Sequence, residues 1–129
     1  MIDSVARRVD THDTASTLDV RLPPADLLTR ARTELPARVN QLATKHGVTV
    51  SRTSVRNQRS RWGSCSRSGH ICLNWRLITM PDWVRDYVII HELMHLKRMD
   101  HSPRFWKLVA SACPDFEHAR RYLRDQYLR

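Results

Sequence analysis

Glycine is scarce in this chain, with three in 129 residues, and cysteine equally so. Three cysteines (Cys65, Cys72, Cys113) are an odd count without a CxxC pair. A single domain of this size does not need a disulfide framework, and buried or partly buried thiols in a reducing compartment fit better than Cys65 and Cys72 as metal ligands. No apolar run approaches the ~20 residues that cross a bilayer. The N-terminus, MIDSVARRVDTHDTASTLDV, lacks the apolar core of a secretory signal. The expectation is a protein of a bacterial cytoplasm with no membrane partner.

Negative charge is also missing from one long stretch. Between Glu34 and Asp82 there is no acidic residue, while Arg38, Lys45, Arg52, Arg56, Arg59, Arg61, Arg67 and Arg76 all fall there. This segment therefore supplies +8 of the net charge of +9. A block of one sign is an electrostatic footprint for a polyanion, most often nucleic acid. Arg59, Arg61, Arg67 and Arg76, with Trp62 as a ring for stacking, are the candidate contacts. Trp83 and Trp106 flank apolar helices and read as core.

Residues 1–20 read as a flexible tail with a solvated His12, and 21–129 as one domain. The stretch 24–46 carries an apolar stripe (Leu27, Leu28, Ala31, Leu35, Val39, Leu42, Ala43), which predicts a helix ended by Gly47 and kinked or broken at Pro36. A strand is expected from Val48 to about Arg56. A hairpin follows within residues 59–75, turning at Ser68-Gly69, and Gly63 marks a bulge or a close backbone approach. After a helical turn near Trp75–Ile78, Thr79 and Pro81 resemble a capping box opening a helix over residues 80–97. Two more helices should begin near Pro103 and cover 115–127. Helix, strands, then helices give an α+β class.

The helix PDWVRDYVIIHELMHLK is apolar on nearly every face, so it is buried. His91 and His95 lie four apart and continue the stripe of Val84, Tyr87 and Val88. Two buried imidazoles and the carboxylate of Glu92 need partners, since burying them bare costs several kcal/mol. One divalent metal serves both histidines. HExxH is also the zincin pattern, with two imidazoles on zinc and the glutamate as general base. A shuffled chain of this composition contains it with a probability of roughly 1%. A catalytic zinc wants a third protein ligand and an open position. His101 offers the spacing H-x5-H, provided that the chain reverses near Asp100 and Ser102-Pro103, and Glu117 on a later helix is the rival. Tyr87, His118, Tyr122 and nearby arginines are the candidates to stabilise an oxyanion.

The segments RSRWGSCSRSGHICLNWRL and PDWVRDYVIIHELMHLKRMDHSPRFW resemble the YgjP-like metallopeptidase family, a relative of the SprT and WLM-domain zincins. The likeness covers about residues 24–127. It implies a minimal zincin-like domain, with a small antiparallel sheet or hairpin packed on the HExxH helix. It also implies one zinc held by His91, His95 and His101, Glu92 as general base, and a protein or peptide substrate cleaved internally. SprT and WLM relatives act on proteins crosslinked to DNA, which implies DNA as a further partner. Two departures stand out. The strand-rich N-terminal half usual in the family is mostly missing, and Met94 replaces a smaller residue. The alternative to a peptidase is a nucleic-acid-binding module with a structural or inactive zinc site.

Overall fold

A computed structural model describes residues 23–127; the expected tail and His12 lie outside the described residues. Helix α1 (Ala25–His46) buries Ala31, Leu35, Val39, Leu42 and Ala43. It runs through Pro36 without a break, and Gly47 ends it in the left-handed region (φ 68°), returning its N–H to the carbonyls of Ala43 and Thr44.

Three strands follow: β1 (Arg52–Arg56), β2 (Gly63–Cys65) and β3 (His70–Asn74). The hairpin is β2 antiparallel to β3, turning through 66–69 with Gly69 at φ 92°. The sheet is mixed rather than antiparallel, because β1 pairs with β3 in parallel and the order is β1-β3-β2. The loop 57–62 must carry the chain past β3 to its far side. Asn74, fully buried, secures that loop by donating its side-chain amide to the carbonyls of Gln58 and Arg61. Ile71 and Leu73 face the core, while His70 and Cys72 alternate to the outer face beside Arg52 and Ser54.

The same Asn74 caps a 3₁₀ turn (Trp75–Thr79) by accepting the Arg76 N–H. That turn overturns the capping box. Thr79 donates its hydroxyl to the Arg76 carbonyl, the chain stays extended through Met80 and Pro81, and helix α2 opens only at Asp82. Helix α2 (Asp82–Met94) is shorter than expected at both ends, with His95 as its C-cap. The N–H groups of Lys97 and Arg98 both donate to the Met94 carbonyl and turn the chain. Helix α3 (Pro103–Ala112) starts with proline in its first turn, and helix α4 (Phe116–Tyr127) buries Ala119 and Leu123.

Helix α2 is central: β2, α1, α3 and α4 all pack on it. Two tryptophans exchange their expected places. Trp62 is 1% exposed, drawn in by the loop that Asn74 anchors, whereas Trp83 is 40% exposed and stacks on His118. Trp106 is half-buried, and so are all three cysteines, with no disulfide among the described residues. Met94 is buried, its unbranched side chain suited to an irregular gap. Among the described residues, no helix is long and apolar enough to cross a membrane.

Candidate metal centre

Tyr87, His91 and His95 recur every fourth residue along one buried stripe of α2 and its C-cap. The turn after Met94 returns the chain so that His101 meets the same stripe. Asp100 stabilises the reversal, accepting hydrogen bonds from the Ser102 backbone N–H (3.1 Å) and from Arg98 Nε (2.9 Å). Each of the three histidines offers a ligand atom, and these atoms all lie within 4.8 Å of one another. The closest pair is His95 Nε2 and His101 Nε2 at 3.0 Å.

The opposite ring nitrogens are held. His95 Nδ1 donates to the Arg98 carbonyl at 3.0 Å, which leaves Nε2 as a lone pair. His91 Nδ1 lies 3.2 Å from the Tyr87 hydroxyl, and His91 Nε2 is buried with no hydrogen-bond partner among the described residues. With Nδ1–H donated to the tyrosine oxygen, that Nε2 also presents a lone pair. Burial, then His95 and Arg120, pushes the His91 pKa well below its ordinary value, and burial lowers that of His101. Neutral imidazoles with converging lone pairs and oriented outer nitrogens are the donor set of a zinc site. A buried orphan nitrogen in their midst is what a cation would satisfy, so the residues fit the metal. Phe105 walls the site, stacked on His95 at 4.2 Å and edge-on to His91 at 4.9 Å.

Glu92 is 1% exposed and lies against β2. A Cβ on Gly63 would sit 3.2 Å from Glu92 Cγ, so the glycine marks a close approach between strand and site helix. Glu117 stands apart from the histidine group, its carboxylate 3.5 Å from Arg120. Tyr87 is directed at His91, while His118 and Tyr122 pack on Trp83.

The arginines do not gather here. Arg59, Arg61 and Arg67 are exposed. Arg76 is half-buried, donating to Asn57 Oδ1 and the Gln58 carbonyl and lying over Trp75 at 5.0 Å. Trp62, buried under the sheet, has no face to offer a base, which removes it from the nucleic-acid candidates. Sequence reading missed Asn74, Phe105 and the Arg98 carbonyl. The last two follow the motif closely, Phe105 one helical turn after His101, so the FW pair after Ser102-Pro103 was the available signal.

The family profile described as YgjP-like, metallopeptidase domain matches residues 10–126, nearly the whole chain. The match starts upstream of the motifs that carry the resemblance. No individual curated protein matches.

Proposed function

The chain belongs to the YgjP-like metallopeptidase family, and from that premise we propose that it is a zinc-dependent endopeptidase with Glu92 as general base. The observation that carries the metal assignment is the buried His91 Nε2, without a hydrogen-bond partner among the described residues, beside the paired Nε2 atoms of His95 and His101. These three nitrogens would hold one zinc per chain, and Glu117, engaged with Arg120, stands outside that set. When bound, zinc would supply the Lewis acidity that activates a water molecule and polarises a carbonyl.

Glu92 follows His91 directly, so the helix that holds the metal also fixes the base. Its carboxylate takes the proton of the attacking water and passes it to the leaving amine. Among the described residues strand β2 stands at one edge of the sheet, and Gly63 brings it against Glu92. An extended substrate paired to that edge gains main-chain hydrogen bonds close to the base.

We also propose that DNA directs the enzyme to its substrates. Support comes from the outer face of the sheet, where exposed Arg52 and Arg56 share one side of β1 and Arg67 lies in the adjoining turn. None of the three pairs with a carboxylate among the described residues, and such a row suits a phosphate backbone.

Zinc content and cleavage of a protein substrate, with and without single-stranded DNA, test both parts. Wild type should hold one zinc and cleave, faster when DNA is present. Glu92→Gln should keep the zinc and lose cleavage by about 10²–10⁴-fold, and His101→Ala should lose the metal. Equal cleavage by Glu92→Gln would sink the mechanism. DNA binding without cleavage by wild type would point instead to a nucleic-acid module with a structural zinc.

A further inference from the structure

Arg120 is a cation beside the centre that the chemistry above does not use. It extends from α4 so that its guanidinium carbon lies 4.6 Å from the centre of the Trp106 ring. The same indole is 5.4 Å from the His91 ring and 6.5 Å from that of His101. Through this shared ring the guanidinium stands within about 10 Å of His91, roughly the reach of one residue plus its side chain, since successive Cα atoms are about 3.8 Å apart.

The side chain of Arg120 is 21% exposed, and an aromatic floor formed by Trp106 and Phe116 lies next to it. Water excluded by that floor strengthens any ion pair formed on it. A guanidinium offers five N–H donors in a fork that matches a carboxylate. Among the described residues, Arg120 reaches one acid, Glu117, through a single long contact of 3.5 Å. Glu117 is itself 63% exposed, so a substrate carboxylate can take its place with little loss.

We propose that Arg120 is a specificity-determining residue that receives a substrate carboxylate next to the scissile bond. The carboxylate is either an acidic side chain, in keeping with internal cleavage, or the free C-terminus of the peptide, in which case cleavage is terminal and the endopeptidase part of the reading gives way. This rests on the peptidase reading and adds the chemical class of substrate. The Trp106 ring orients the cation by lying beneath it, and Glu117 keeps the position ordered until substrate arrives.

Peptide binding to the zinc-loaded Glu92→Gln protein tests the proposal without turnover. Three labelled peptides share one sequence: the first has a glutamate beside the scissile position and an amidated end, the second glutamine and an amidated end, the third glutamine and a free carboxylate. At least one carboxylate peptide should bind about tenfold tighter than the neutral one, as expected for a charge-assisted contact. Which of the two does so identifies the source. Adding Arg120→Gln should bring the ratio to about one, and Arg120→Lys should restore part of it; one zinc per chain in each variant shows an intact site. An equal preference in the Arg120→Gln protein, or none in its parent, overturns the proposal. Failure of the peptidase reading shows separately, as absence of cleavage of all three peptides by wild type.

Discussion

Tyr87 lies one helical turn before His91, fully buried, with its hydroxyl on the nitrogen opposite the converging one. Burial raises its pKa, so the phenol stays protonated and neutral beside the imidazole. Such an outer contact sets ring orientation and tautomer. Tyr87→Phe keeps the aromatic volume and the edge-on contact with His91 at 5.8 Å while deleting the oxygen. Zinc affinity should fall by about 10–100-fold, read by competition with a chelator; an unchanged affinity would show that the hydroxyl does not orient His91. Single residues are also where sequence is hardest to read. HExxH announces itself because both histidines sit on one helix. Arg120 lies beside the centre across the Trp106 ring, and Asn74 acts on a loop 13 to 16 residues upstream. Neither leaves a local pattern.

Strand β2 and helix α2 meet at Gly63. A methyl there would come within 3.3 Å of the Cys72 carbonyl and of Val88 Cγ1, and 3.2 Å from Glu92 Cγ. Of these, only the glutamate side chain can yield. Gly63→Ala should therefore displace the proposed base, lowering kcat about tenfold or more while zinc content holds, a split that metal analysis and steady-state kinetics resolve. Loss of zinc together with activity would show that the strand, not the base, had moved. At this scale most of the fold is legible. Periodicity locates the four helices of the described residues, and Ser68-Gly69 marks the hairpin. Parallel pairing of β1 with β3 is not legible, since nothing local distinguishes a strand that joins a neighbour directly from one that skips it. The late start of α2 is hidden for a related reason. Thr79 and Pro81 look like a cap until the 3₁₀ turn claims the hydroxyl.

At the scale of the whole molecule, four histidines among the described residues have pKa values lowered in the folded state. Burial is the first cause for His46, His70, His91 and His101 alike. In the unfolded chain they take up protons near the ordinary value of 6.5. Below that pH the unfolded state binds more protons than the folded one, so stability falls as acid is added. Above it all four are neutral in both states and the contribution is fully present. The metal-free protein should lose melting temperature steadily from about pH 7 towards pH 5. Zinc should raise the melting temperature at neutral pH, and that gain should fade over the same range because protons compete for its ligands. A metal-free melting temperature flat across this window would contradict the buried neutral state of the histidines.

The order of strands bears on how the chain assembles during synthesis. The last strand to emerge, β3, takes the middle of the sheet, with β1 on one side and β2 on the other. β1 emerges before the other strands and has no strand to pair with until residue 74 has followed. The hairpin of β2 and β3 can close locally, and only then does β1 find its parallel register. Until that moment β1 lacks its ladder partner, with Arg52 and Arg56 at its ends. Charge at both ends of an unpaired strand keeps it from pairing with other nascent chains. The arginines proposed to meet DNA in the finished enzyme thus also protect the strand that carries them while it waits.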